Sequence, residues 1–299
     1  MCPVCYPKKY TNSKYEYEIV DYLKELSPSI NIVTNTKKII SPFELDIYLP
    51  DFNLAIEFNG LHWHSELAGK TKNYHLNKTE KCKEKGIQLI HIFENEWNDN
   101  KEIIKSILKN KLKLNKNKIY ARKCKIKEIS NEEYNEFLFN NHIQGITKSK
   151  IKIGLFHNDS LVMISSFSKP RFNKLYEYEL IRLASRKDCT IIGGMEKLLT
   201  YFVSSYNPIS IISYVDRRYF SGSSYFNSNF FKYKNISSPN YWYIENGKLI
   251  NRINFQKHKL KSKLKLFDST LTEWENMQLN GYDRIWDCGN FIFEWNNIK

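Results

Sequence analysis

The first 118 residues contain no arginine, although they carry 19 lysines against 15 acidic residues. All eight arginines (122, 171, 182, 186, 217, 218, 252 and 284) lie beyond them, in a stretch with 27 basic and 17 acidic side chains. Since Arg is the side chain suited to bidentate phosphate or guanine contacts, any such readout is expected from the second half. Long apolar runs are also missing. Nothing approaches the roughly 18 residues a membrane helix needs, and the opening MCPVCYPKKY has no apolar stretch of the signal-peptide kind. No membrane partner is expected, and a cytoplasmic location is. Paired cysteines are scarce, which argues against a disulfide framework. Of six, only Cys2 and Cys5 stand in C-x-x-C spacing. That knuckle supplies two of the four ligands structural zinc wants, so a Zn²⁺ site and a metal-free remnant both fit residues 1–12. Internal repeats are absent.

What is present is charge and aromatic surface. The formal net charge is +14, with 41% hydrophobic and 15% aromatic residues, enough for a core and for a field that concentrates a polyanion. The length of 299 residues suits two domains. SKYEYEIVDYLKEL (13–26) has helical spacing opened by Ser13. FELDIYLP (43–50) and NLAIEFNG (53–60) alternate as a β-hairpin. A polar helix over 70–85 ends at Gly86, a strand covers 87–97, and a Lys-rich helix runs over about 99–114. The expected boundary lies near 118, giving domains 13–118 and 119–299.

The hairpin carries the candidate chemistry. Asp46 and Glu57 fall on adjacent strands, and two hard oxygen ligands suit Mg²⁺ (or Mn²⁺), which takes its remaining ligands from water and phosphate. Glu57 is bracketed by apolar residues, and an acid there is costly without a partner. Glu16 and Glu18 on the first helix could support the ion, with Glu18 preferred. His75 and Lys78 lie three apart on one face of the next helix.

Helix Glu, then ELDIYLP, then AIEFNG resembles the PD-(D/E)xK nuclease core, in which a helix, a three-stranded meander, a helix and a strand follow in order. Asn59 stands where that motif has Lys, so Lys78 is the expected migrated cation. The continuation GLHWHSE is similar to a segment of very-short-patch-repair endonucleases and related phage homing endonucleases. This likeness implies functional roles for Asp46, Asn59 and His64, the last as a histidine of near-neutral pKa that handles protons. The sequence from 13 to 97 also looks like the nuclease half of phage homing-endonuclease-like proteins, which implies a phage-infected or bacterial host cell.

In the second half, a helix (131–140), a hairpin turning at HND, strands at 176–184 and 209–215, and a glycine turn into a helix (191–206) resemble the GNAT acyltransferase fold and the GNAT-like Mom-type DNA-modification proteins. The phosphate-cradling R-x-x-G-x-G/A is not met at Gly193 and Gly194, so acyl-CoA binding is not expected. Basic and aromatic residues interleave afterwards. Arg122, Lys123, Arg217, Arg218, Arg252, Lys257, His258, Lys259, Lys261 and Lys263 are the candidate contacts to double-stranded DNA.

The expected fold is α/β (α+β), a restriction-endonuclease-like mixed-sheet core followed by a GNAT-like α/β domain. The expected function is Mg²⁺-dependent hydrolysis of DNA by a homing or mobile-element endonuclease. Two alternatives stand beside it: a DNA-modifying acyltransferase of Mom type, and a non-catalytic DNA-binding protein with a decayed nuclease core.

Overall fold

Ser13 opens the first helix by a reciprocal cap: its side chain accepts from the Glu16 amide while the Glu16 carboxylate accepts from the Ser13 amide. The computed structural model describes residues 13–297. Cys2 and Cys5, and with them the zinc expectation, lie outside the described residues.

Helix α1 (Lys14–Leu26) buries Ile19, Val20 and Leu23. Strands β1 (Val33–Thr36), β2 (Leu45–Leu49) and β3 (Leu54–Asn59) form an antiparallel meander. Asn53 turns the chain between β2 and β3 in the left-handed conformation that Asn tolerates. After α2 (Tyr74–Glu84), β4 (Gln88–Phe93) adds parallel to β3, completing the order β1-β2-β3-β4. The expected sequence of helix, meander, helix and strand is therefore observed. All six residues of β3 are buried, as for an interior strand covered on both faces. The strand expected over 87–97 stops at Phe93, because Glu94 begins α3 (Glu94–Lys111), which kinks at Asn100.

Further along come β5 (Lys118–Tyr120), β6 (Lys125–Glu128), α4 (Asn131–Asn141), β7 (Ile151–His157), β8 (Ser160–Ser168) and β9 (Tyr178–Ser185). The β7–β8 turn has Asn158 and Asp159 both at positive φ, as a two-residue hairpin of matching twist requires. Then follow β10 (Thr190–Ile192), α5 (Gly194–Tyr206), β11 (Ser210–Asp216), α6 (Ser223–Phe226) and β12 (Lys232–Ile236). Next are β13 (Tyr241–Glu245), β14 (Lys248–Asn251), α7 (Lys257–Leu260), α8 (Glu273–Leu279) and β15 (Asp283–Trp286). Strand β16 (Asn290–Asn296) follows them.

The chain forms two compact units that do not follow the expected break at 118. One holds the residues up to Trp97 together with Pro239–Cys288; the other holds Asn98–Ser238 and the stretch from Gly289 onward. In the first, the sheet β14-β13-β15 of the returning segment packs on the N-terminal core: Leu61, Phe93 and Ile285 share one cluster with Trp242, Ile244 and Leu249. Arg284 makes a two-pronged contact with Glu66 at 2.6 and 2.8 Å, and the Trp286 indole donates to the same carboxylate at 2.6 Å. These contacts bind a segment distant in sequence to the core.

The second unit is built on the sheet β12-β16-β11-β9-β8-β7-β6. Every neighbouring pair is antiparallel except β9 and β11. One face carries α5 over a large core that includes Phe167, Leu198, Phe202 and Phe293. The other carries α4 over Ile164, Ala184 and Phe156. The single parallel pair of this sheet sits centrally among antiparallel neighbours, and the expected order of three strands, a helix and a strand is observed in β7, β8, β9, α5 and β11, with the short β10 before the helix.

The chain returns from the first unit through Gly289, at φ +78°, where an added Cβ would lie 2.4 Å from the Ser237 carbonyl oxygen. Gly247 has a similar φ of +74° but open space around it. Gly289→Ala should therefore cost the second unit about 2 kcal/mol or more, whereas Gly247→Ala carries only the left-handed penalty of about 1 kcal/mol. Urea unfolding of both variants checks this; equal midpoints would mean that the Ser237–Gly289 approach relaxes freely.

Candidate functional site

In the first unit, β2 and β3 bring Asp46 and Glu57 together at the wall of a pocket of about 790 Å³, whose lining also includes His64, Tyr74 and Lys78. Lys78, from the face of α2 turned to the sheet, donates to Glu57, and both side chains are almost wholly buried. Burial opposes the lysine charge, but Glu57 and Asp46 together hold its pKa above the ordinary value. Asp46 is raised well above the usual carboxylate range by burial and then by the Glu57 charge. One ammonium thus faces two carboxyl groups, and burial raises Glu57 as it does Asp46. Asp46 also accepts from the Phe58 amide at 2.8 Å, while Glu57 Oε2 has no hydrogen-bond partner among the described residues.

Beside this pair runs a chain of polar side chains that the sequence reading did not anticipate. Asn59 Oδ1 lies 3.0 Å from His75 Nε2, and that nitrogen lies 3.4 Å from His64 Nδ1. On the other side Asn59 Nδ2 is 3.4 Å from His91 Nδ1, and His91 Nε2 is 2.8 Å from Thr79 Oγ1. Asn59 is thus a buried bridge between imidazoles. Burial, with Lys78 and Lys70 adding to it, pushes His64 down to about 3, so its ring is neutral at physiological pH and the near-neutral value expected for it is not met. Glu18 is not part of the group. It accepts from the Trp97 indole at 3.1 Å and lies 3.9 Å from Lys14, and it is Glu16 whose charge reaches Asp46 and Glu57.

The second unit holds another polar group, between β8, β9, β11 and α4. Asp216, at the end of β11, is held ionised below the usual range: burial opposes this, but Arg218 overcomes it. Arg218 Nη2 donates to it at 2.8 Å and Gln144 Nε2 at 3.2 Å. Arg182 on β9 is opposite Ser166 on β8, and Ser166 Oγ is 2.8 Å from the Tyr134 hydroxyl. His142, at the end of α4, is pushed down to about 3 by burial and the Arg182 charge. A cue for this group was in the sequence: Arg182 and Asp216 interrupt apolar strands as Glu57 does.

The ten candidate DNA contacts are divided between the two units, and not all of them are exposed. Arg217 and Arg218 are buried, which takes them off the open face expected for phosphate contacts. Arg122 and Lys123 are exposed in the second unit, and Arg252, Lys257, His258, Lys261 and Lys263 are exposed in the first. Lys259 is half-buried there and donates to the Ile253 carbonyl at 2.8 Å.

No protein-family model matches this chain. No curated protein matches it either. Among solved structures it is similar to an acetyltransferase from Bacillus subtilis in complex with CoA, at 10% identity and TM-score 0.35, over 59% of this chain and 100% of that one. It is also similar to N-acetylglutamate synthase from Neisseria gonorrhoeae complexed with CoA and N-acetylglutamate, at 11% identity and TM-score 0.32, over 59% of this chain. The match spans 35%, about a third, of the synthase chain.

These findings correct the expected activity. Both neighbours are CoA complexes and neither is a nuclease, so the reading as a deoxyribonuclease, whether homing or mobile-element, is withdrawn. The Mg²⁺ or Mn²⁺ expectation goes with it. Among the described residues no group of three or more His, Cys, Asp or Glu side chains is arranged to hold a metal ion, and the Glu57 charge is already met by Lys78. The order of elements in the first unit is as expected, but an architecture hosts many chemistries and does not settle one.

Lys78→Met should destabilise the protein by about 3 kcal/mol or more, because it leaves the Glu57 carboxylate buried without its cation. Adding Glu57→Leu should restore most of the loss, as a double-mutant cycle by chemical denaturation reads it. Additive losses in the double variant would mean that the two side chains are not a coupled pair.

Proposed function

We propose that the second unit is an acyl-CoA-dependent acyltransferase whose acceptor is DNA. The observation that carries this reading is the parting of β9 and β11. They pair in parallel only from Tyr178 opposite Ile211 to Leu180 opposite Ser213. β9 then continues to Ser185 and β11 to Asp216 without further pairing to each other. Between such strands, main-chain amide and carbonyl groups stand unpaired inside a sheet, where an extended ligand bearing its own amides can complete the ladder. The pantetheine arm of CoA is a ligand of that kind. Helix α5 begins after β9, and its first amide groups offer a positive terminus to a pyrophosphate. The net charge of +14 favours a polyanionic acceptor.

The glycine turn has its own structural reason. Gly193 takes φ +74°, and a Cβ on Gly194 would lie 2.3 Å from Met163 Sδ. The departure from R-x-x-G-x-G/A therefore leaves phosphate binding to main-chain groups and to the opening between the strands. In the reaction itself, a nucleophilic nitrogen of the acceptor attacks the thioester carbonyl, the carbon–sulfur bond breaks, and CoA leaves as a thiol with the proton the nitrogen gives up.

Calorimetric titration of the full chain with acetyl-CoA should give one site of micromolar affinity. Label from the acetyl group should then appear in DNA that survives protease digestion. Absence of binding at millimolar acetyl-CoA would overturn the reading, and binding without labelled DNA would overturn the acceptor.

A further inference from the structure

Acyl transfer by the second unit leaves the pocket of the first unit unused. Its volume of about 790 Å³ falls within the roughly 300–1,000 Å³ of sites that take a small ligand. Its lining is not that of a phosphate site. Glu44, Asp46, Glu57 and Asp283 stand against Lys70 and Lys78, an acidic excess inside a chain of net charge +14, and Lys78 is already engaged by Glu57. A cleft lined mainly by one sign of charge disfavours a ligand group of that sign.

Two features of the lining point to a ligand of another kind. Glu57 is 2% exposed; Lys78 takes its Oε1 and the Asp46 main-chain amide favours its charge, yet Oε2 has no hydrogen-bond partner among the described residues. A buried acceptor without a donor is costly. The ligand that competes least with the ion pair is a neutral N–H donor, which needs only the spare oxygen. Trp63 is the second feature. It lies on the connection from β3 to α2, is 72% exposed, and is met edge-on by His62, with ring centroids 4.8 Å apart and planes at 77°. Leu67 of the same connection is 61% exposed and also lines the pocket. A large ring left open to water in a pocket wall suits a flat partner that stacks on it.

A flat ring with N–H donors on its edge, small enough for this pocket, is a nucleobase. In a duplex that edge is paired and both faces are stacked, so the base must be unpaired or extruded. Its phosphates stay outside the acidic lining, and the same unit exposes Arg252, Lys257, Lys261 and Lys263, whose charge attracts a strand.

We propose that the first unit takes an unpaired nucleobase of a nucleic-acid strand into this pocket, stacked on Trp63 and with its exocyclic amino group donating to Glu57 Oε2. This binding goes beyond the acyl-transfer reading and does not need it. The adenine of CoA offers the same ring and amino group, and the experiment separates the two sources.

The full chain is titrated with short fluorescent strands of abasic sites that carry one central cytosine, one central N4,N4-dimethylcytosine or no base, and by calorimetry with CoA. Cytosine should raise the affinity about tenfold over the baseless strand. Dimethylation, which removes both amino hydrogens and keeps the ring, should return most of that gain. In Trp63→Ala the gain from cytosine should fall about fivefold or more while the log–log salt slope stays as in the parent chain, since stacking releases no counterions. Trp63→Phe should restore part of the gain, and because residue 63 is exposed both variants should fold as the parent does. CoA affinity should be the same in all three chains. Equal affinity for strands with and without cytosine would overturn the proposal, as would a dimethylated base that binds as tightly as cytosine, or a Trp63→Ala chain that binds as the parent does. A Trp63→Ala loss confined to CoA would overturn it too, giving the ring to that adenine. If the parent chain binds no CoA while the cytosine gain and its loss in Trp63→Ala hold, the acyl-transfer reading falls and this site stands; CoA binding without a cytosine gain has the reverse meaning.

Discussion

The sheet of the second unit is closed by β16, which pairs with β11 over seven residue pairs, from Ser210 opposite Asn296 to Asp216 opposite Asn290, and with β12 on its other side. Without that strand β12 has no neighbour and β11 has an open edge. The ladder can form only after the chain has left the unit at Ser238, built a three-stranded sheet elsewhere and come back. The place of return is correspondingly tight. The Ser237 amide donates to the Asn290 carbonyl and the Asn290 amide to the Ser237 hydroxyl, both at 2.9 Å, so departing and returning strands are stitched where they meet. Pairing partners so far apart in sequence form slowly, because the intervening loop must be closed before any bond is gained.

That excursion is why domain order was misread while local structure was read well. The capping box at Ser13, the hairpin around Asn53 and the two-residue turn at Asn158 and Asp159 are set by contacts between near neighbours, and residue type alone announces them. The long-range strand pairings have no such announcement. Tyr241 and Tyr243 belong to the stretch where basic and aromatic residues interleave; they pack as a small core with Phe255, Leu260, Met277 and Trp286. Of the lysines in the same stretch, Lys263 lies over the Phe255 ring and Arg252 over that of Tyr241, so their stems cover apolar surface while their charges stay wet. A run of alternating basic and apolar residues reads alike whether it grips phosphate or roofs a core.

The candidate sites were legible to the extent that they depend on a charge placed inside an apolar strand. Glu57 could be singled out because an acid within AIEFNG needs a partner, and the partner in the structure is Lys78 on α2. Glu18 was the wrong supporting acid. Residues 16 and 18 sit on different faces of α1, and only packing decides which face meets the sheet; the indole of Trp97 takes Glu18 away. Asn59 was noticed as a departure from a motif, whereas its observed place is as a connector between His75 and His91. No spacing rule pairs residues 59, 75 and 91, because the parallel addition of β4 to β3 is what brings them together.

Buried charge also separates the two units in what they can do. In the first, Lys78 compensates Glu57 from within, so the pair is self-contained and an incoming ligand must compete with an ion pair already made. In the second, compensation is unequal. Asp216 has Arg218 and Gln144, while Arg182 donates to a backbone carbonyl and feels the charges of Glu179 and Asp216 against that of Arg171. A partly buried guanidinium is costly, and an apolar residue in the same sheet would carry no such cost.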